Sequence, residues 1–233
     1  FIRLMRDIVN HHIYQGDSYS NEMLRNADHP KRKEYLDRFV EHESTLFLHR
    51  FYKKYRPLPQ QKKLALLDDV VRPSFYQRAA LLRFVFPDMT LNDFKKQLQH
   101  HMSDIQLKKA NINRLYLKYD PKKRSLSDVA HLAGIHPLEL WLAAYLWHHP
   151  DADYEAVYQK SKSARLEAYG WLYRTSRKYR QDKRIRIILE QDAFESIHRA
   201  WQRLGYPFKK LVPSYATAIG SSADRPEALA ELM

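Results

Sequence analysis

"SLSDVAHLAGIHPLELWLAAYLW", residues 125–147, decides the fold class of this chain. Its first half carries an apolar stripe at helical spacing and stops at Gly134, which predicts a short amphipathic helix. Pro137 then starts a second helix. Leucine, tryptophan, tyrosine and alanine cover almost the whole circumference of that helix, and a helix that is apolar nearly all round is a buried one. The stretch therefore predicts a helical core.

The composition agrees with a helical fold. The chain has 233 residues, of which 44% are hydrophobic and only 5 are glycine, and a chain of this length can bury a sizeable core. No segment alternates apolar and polar residues long enough to require a strand. We therefore expect an all-α protein with roughly ten helices. A compact helical domain should cover residues 1–204, followed by an irregular tail over residues 205–233.

Apolar spacing and helix breakers place the individual helices. The expected ranges include 1–15, 31–55, 60–71, 74–85, 91–101, 137–149, 151–173 and 182–204. Three helices have serine or threonine candidates for the N-cap. These are Thr90 for one helix, Ser103 for the next, and either Ser125 or Ser127 for the third. In the long helix 31–55 the inward residues should be Tyr35, Leu36, Phe39, Leu46 and Phe47. Near the end, a turn at 220–222 and a helix started by Asp224 and Pro226 are expected.

Residues Asp128 to Ile135 raise an alternative, because they resemble the opening helix and turn of bacterial helix-turn-helix repressors. In that family the second helix presents polar side chains to base edges in the major groove. The helix that follows here offers only Glu139 and terminal histidines as polar groups. A basic helical nucleic-acid-binding protein therefore stays the alternative, and no specific nucleic-acid partner is expected.

The chain is strongly basic. Lysine and arginine total 40 against 27 aspartate plus glutamate, a formal net charge of +13, which attracts nucleic acid, anionic lipid or an acidic partner. The densest run is RTSRKYRQDKRIR, residues 174–186, with Tyr173 before it and Tyr179 inside it. Such a run is either plain solvated surface or a binding face for a nucleic-acid strand or lipid headgroups. The candidate binding residues are Arg174, Arg177, Lys178, Arg180, Lys183 and Arg184.

No catalytic or metal motif is present in the sequence. There is no cysteine, which excludes disulfides and thiolate chemistry. No glycine-rich phosphate loop, His-Glu-x-x-His or Gly-x-Ser-x-Gly occurs, and adjacent histidines such as His148 and His149 point to different sides of a helix. We expect no metal and no cofactor. A membrane-spanning helix needs about 18 apolar residues in a row, and no such run exists.

Five segments resemble one family of bacterial proteins, the family 51 glycosyltransferases and class A penicillin-binding-like peptidoglycan synthases. These segments are RLMRDIVNHHIYQGD at 3–17, LHRFYKKYR at 48–56, HPLELWLAAYL at 136–146, QDAFESIHRAWQRLGYPF at 191–208 and LVPSYATAIGSSADRPEALAELM at 211–233. The last is similar to a PS-x-A-L-G…P-x-x-x-A segment late in the transpeptidase region. Phe1 at the start and Met233 at the end also suggest a fragment of a longer protein.

The resemblance implies a non-catalytic helical accessory region that positions or docks a cell-wall synthase. The family's EDxxFxxHxG and STxxQQ blocks are absent, and so are its transpeptidase motifs: Ser176 has a lysine two residues later instead of three. Ser214 matches the structural PS position, not a nucleophile, so any enzymatic role stays open. The implied location is an inner-membrane-anchored parent with this part facing the periplasm. The implied partners are an anionic lipid surface or cell-wall synthesis proteins.

Overall fold

The computed structural model describes residues 2–16, 18–70, 74–100, 111–206 and 208–219. Within these ranges the chain forms twelve α-helices and no strand, which confirms the all-α prediction. A π-helical turn (His12–Gly16) follows the first helix, and a 3-10 turn (Tyr215–Ile219) lies in the tail. The helices are α1 Ile2–His11, α2 Ser18–Arg25, α3 Lys31–Tyr55, α4 Gln60–Val70, α5 Phe75–Val85, α6 Leu91–His100, α7 Ile112–Lys118, α8 Leu126–Ala133, α9 Pro137–His148, α10 Tyr154–Lys160, α11 Lys162–Arg174 and α12 Lys178–Arg203.

The helices form two compact units. The terminal unit comprises residues 1–39 and 172–233, and the central unit comprises residues 40–171. In the terminal unit, α12 contacts α1, α2 and the π-helical turn, so the two ends of the chain share one core. In the central unit, α9 contacts α4, α5 and α8. The predicted domain boundary at residue 204 stays a prediction; α12 ends just before it, and Gly205 follows with a φ of 99°.

Many helix bounds lie close to the expected ranges, but α2 was not predicted, α7 begins at Ile112 with Asn111 as its cap, and two further helices differ. The expected helix 151–173 is divided at Ser161, which is fully buried and whose hydroxyl donates a hydrogen bond to the Tyr158 carbonyl at 2.7 Å. Such a back-bond competes with helix continuation. The last long helix begins at Lys178 instead of residue 182, so much of the basic run is helical.

Side-chain caps with the expected chemistry begin several helices. Thr90 Oγ1 accepts a hydrogen bond from the Asp93 N–H at 3.2 Å, as an N-cap should. Helix α7 is capped by Asn111, whose side chain accepts from the Arg114 N–H. The expected Ser103 cap, the turn at 220–222 and the helix started by Asp224 and Pro226 lie outside the described residues.

The inward face of α3 is partly as predicted. Tyr35, Leu36 and Phe39 are buried. The prediction for Leu46 is wrong, because Leu46 is 55% exposed while Ser44 and Leu48 are both fully buried. Residues at 44 and 48 lie one helical turn apart on one face, and residue 46 lies on the opposite face. The buried serine is satisfied, since its hydroxyl donates to the Glu41 carbonyl.

Helices α8 and α9 form the centre of the central unit, as the opening stretch predicts. Ser125 is the cap of α8 and forms a reciprocal capping box with Asp128. Gly134 ends α8 in the left-handed region at a φ of 72°, where glycine is favoured. Seven residues of α9 are buried, so the prediction of a core helix is confirmed: Leu138, Glu139, Leu140, Leu142, Ala143, Ala144 and Leu146.

Candidate anion-binding surface

The predicted binding residues lie where α11 ends and α12 begins, in the terminal unit. Arg174 is the last residue of α11, and Arg177 is the N-cap residue of α12. The Arg177 N–H donates to Thr175 Oγ1 at 3.2 Å, which shapes this short link. No side-chain cap satisfies the first N–H groups of the 26-residue helix. The positive end of a long helix dipole therefore coincides with the densest basic run of the chain.

Three of the predicted residues are exposed. Arg174, Arg177 and Lys183 all have exposed side chains. Within the part of the chain that the structure describes, none of the three forms an ion pair. Their charge is therefore available to a ligand in solution, at the modest strength expected for hydrated groups.

Arg180 and Arg184 are half-buried and lie one turn apart on α12. Arg184 Nη1 donates to the Arg180 carbonyl at 3.3 Å, and this contact holds its side chain along the helix. Arg180 Nε in turn lies 3.5 Å from the hydroxyl of Tyr179. The two guanidinium groups thus extend the positive surface from the helix start along its first turns.

Tyr179 lies among the arginines of this surface. The phenol is 63% exposed. Hydrogen bonds from Arg180 and Arg177, together with the charges of Arg180 and Arg184, lower the pKa of its hydroxyl. The sequence places Tyr179 between basic residues, but only the folded helix brings three arginines to one phenol oxygen. We define Arg174, Arg177, Tyr179, Arg180, Lys183 and Arg184 as the α12 basic surface.

Lys178 is in a different environment from the other predicted residues. Its ammonium group donates to the Leu24 carbonyl and, at 2.7 Å, to Asp182 Oδ2. Asp182 also pairs with Arg32 at 2.8 Å, and Arg32 is only 3% exposed and donates to the Met23 carbonyl. Lys178 therefore joins α12 to the end of α2, and it shares the single carboxylate of Asp182 with Arg32.

Tyr173 also contributes to structure. Its hydroxyl donates to Asp37 Oδ1 at 2.8 Å, and burial together with this carboxylate raises the pKa of the phenol. Tyr173 therefore contacts the first half of α3 and is not one of the aromatic groups of the surface.

The guanidinium, ammonium and phenol groups of the α12 basic surface can bind anions. Among the described residues, no cluster of three or more histidine, aspartate or glutamate side chains is arranged to hold a metal ion. None of the described helices is both long enough and apolar enough to cross a bilayer.

Comparison with known proteins found no matching family model, no matching curated protein and no matching solved structure.

Proposed function

We propose that this chain is a non-catalytic helical module of a bacterial peptidoglycan synthase, and that the α12 basic surface docks it on anionic lipid headgroups. The parent protein would be anchored in the inner membrane, with this module facing the periplasm. The resemblance of the five segments to peptidoglycan synthases supports the placement. The absence of that family's catalytic blocks from the sequence supports a positioning role.

The observation that carries the docking proposal is the coincidence of exposed cations with a helix start. Arg174, Arg177 and Lys183 are exposed around the uncapped N-terminus of α12. Lipid phosphates are attracted both by such cations and by the helix dipole. The exposed Tyr179 adds an amphipathic ring of the kind that favours the headgroup region.

Sedimentation with vesicles tests the proposal. The wild-type chain should bind vesicles containing phosphatidylglycerol and leave pure phosphatidylcholine vesicles unbound. The triple variant R174Q/R177Q/K183Q should lose at least about tenfold in apparent affinity, because each cation near an anionic surface contributes about 1 kcal/mol. Binding should also weaken as salt is raised.

A matched control separates this surface from the overall charge. Arg203, Lys209 and Lys210 are also exposed, belong to the same unit and lie away from the start of α12. The variant R203Q/K209Q/K210Q removes the same charge and should retain near wild-type binding. Equal losses in the two triple variants would show that net charge alone governs binding, and the docking surface would then be wrong. If the chain binds an acidic cell-wall synthesis protein but not the vesicles, the ligand of the α12 basic surface is that protein and not lipid.

A further inference from the structure

The central unit contains a cleft that the proposed function does not use. It lies between the first turn of α5, the exposed side of α7 and the end of α8, and it has a volume of about 640 Å³. Small-molecule sites usually measure roughly 300–1,000 Å³. Its lining includes Tyr76, Gln77, Arg114, Lys118, Tyr119 and Leu132.

The described lining of the cleft carries positive charge and no acidic side chain. Arg114 and Lys118 lie one turn apart on α7, so both side chains are on the same side of that helix. Among the residues that the structure describes, none that lines the cleft has a carboxylate. Among the described residues, neither cation takes part in an ion pair. A ligand that neutralises them must therefore be an anion.

The cation on the cleft wall is flanked by aromatic rings. Lys118 Nζ lies 5.7 Å from the ring centre of Tyr76 and 5.4 Å from that of Tyr119. Tyr76 is 54% exposed, so its ring is accessible to a second flat group, while Tyr119 is 5% exposed and forms part of the base. An anionic group near Lys118 would bring any attached ring close to Tyr76, where stacking is favourable.

The third feature is a buried acceptor. Gln77 Nε2 donates to the Leu132 carbonyl at 2.7 Å, which fixes the orientation of the amide. Gln77 Oε1 is buried and has no hydrogen-bond partner among the described residues. Buried acceptors in folded proteins nearly always have a donor. Because this oxygen has almost no accessible surface, a ligand in the cleft does not contact it in this structure, and Gln77 serves to fix the wall of the cleft.

The wall that carries the cations is firmly held. Tyr116, on the opposite side of α7, donates its hydroxyl to the Met89 carbonyl at 2.7 Å. The Arg83 guanidinium lies 3.9 Å from the Tyr116 ring centre and donates to the Pro87 and Met89 carbonyls. Because these contacts fix α7 against the end of α5, Arg114 and Lys118 are presented on a preorganised helix.

We infer that this cleft binds a small organic anion that carries a planar ring. Nucleoside monophosphates and aromatic acids share this chemistry. In both, the anionic group would face Arg114 and Lys118, and the ring would lie against Tyr76.

Isothermal titration calorimetry on the full chain tests the inference with four probes. AMP and 4-hydroxybenzoate represent the two sources of the ligand chemistry, and adenosine and inorganic phosphate each lack one part of it. At least one of the first two should bind saturably with a Kd below about 1 mM, and which one binds more tightly identifies the source. If AMP binds, adenosine and phosphate should each bind at least tenfold more weakly than AMP.

Variants decide whether the binding is at the cleft. R114Q/K118Q changes exposed side chains and should lower the affinity at least tenfold, and Y76A should also lower it. K95Q/K96Q removes the same charge from exposed positions of α6 that do not line the cleft, and it should bind as the wild type does. The inference is overturned if neither AMP nor 4-hydroxybenzoate binds, if phosphate alone binds as well as AMP, or if both double variants lose affinity equally.

Discussion

Lys54 Nζ lies 2.6 Å from Glu139 Oε1, and this contact holds the only acidic side chain of α9 inside the central unit. Glu139 is 6% exposed and also accepts a hydrogen bond from the Tyr55 hydroxyl at 2.9 Å. Burial, followed by the charge and the hydrogen bond of Glu139, raises the pKa of Tyr55. One carboxylate therefore satisfies two donors of α3 and fixes α9 against it.

Replacing this carboxylate should destabilise the fold. We expect E139L to lower the free energy of unfolding by about 1–3 kcal/mol, because the buried Tyr55 hydroxyl loses its acceptor. Urea unfolding followed by circular dichroism measures the change. The control E155L alters an exposed glutamate bonded to Gln159 and should stay within about 0.5 kcal/mol of the wild type. Equal losses would argue against a specific role for the buried pair.

Burial of Glu139 also bears on nucleic-acid binding. Because α9 has little polar surface to offer to base edges, the chain should bind duplex DNA only through its net charge of +13. Fluorescence anisotropy with two unrelated duplexes should give similar affinities, both falling steeply as salt is raised. Tight binding of one sequence at physiological salt, abolished by H136A, would instead restore the helix-turn-helix interpretation.

His136 predicts a pH dependence of stability. Burial lowers the pKa of this N-cap histidine, with the charge of Glu139 opposing the shift in part. A pKa that is lower in the folded state means that the unfolded chain takes up the proton first. Burial of the neutral His136 therefore contributes stability that is fully present above pH of about 6.5. This stability is lost as the pH falls through the lowered folded-state pKa of His136.

The variant H136N tests this dependence, because asparagine can still accept from the Leu138 N–H as an N-cap. Unfolding free energies measured between pH 5 and about 7.5 should rise less steeply with pH in H136N than in the wild type. H29N is the control, since His29 Nδ1 accepts from the Lys31 N–H in a similar local role outside the core. A wild-type slope in H136N would assign the effect to other histidines.

Lys178 and Lys183 should respond differently to the same substitution. K178M removes the donor to the Leu24 carbonyl and to Asp182, so it should lower the free energy of unfolding by about 1–2 kcal/mol. K183M changes an exposed residue of the same helix and should be within about 0.5 kcal/mol of the wild type. Thermal or urea unfolding distinguishes the two. If K178M is neutral, Lys178 belongs with the binding residues and not with the structural ones.

The chain should not react covalently with β-lactams. Acylation in the family that the sequence resembles needs a serine activated by a nearby base, and no serine in this sequence is followed by a lysine three residues later. Ser214 Oγ instead accepts a hydrogen bond from the Ala216 N–H. Incubation with a fluorescent penicillin should leave the chain unlabelled while an active penicillin-binding protein is labelled alongside. A labelled band would contradict the non-catalytic proposal.

Local sequence patterns determined much of this fold. The apolar circumference of residues 138–147 predicted a core helix, and Pro137 and Gly134 set the bounds of α8 and α9. Ser125, Asp128 and Gly134 act through hydrogen bonds and backbone angles within a few residues, so their roles can be predicted without tertiary contacts. The basic run at 174–186 is also a local pattern, because it consists of basic residues that are close together in the sequence.

Tertiary structure alone decided which side chains of that run face solvent. Lys178 and Lys183 are the same residue type on one helix, and only the position of the Leu24 carbonyl and Asp182 gives them different roles. The aromatic and basic walls of the cleft come from Tyr76 and Lys118, far apart in sequence. The prediction for Leu46 is wrong because hydrophobicity indicates which residues favour the core, whereas burial depends on which face of α3 the neighbouring residues contact. Local spacing fixes helices and caps, but contacts between distant segments are set by packing that no single segment encodes.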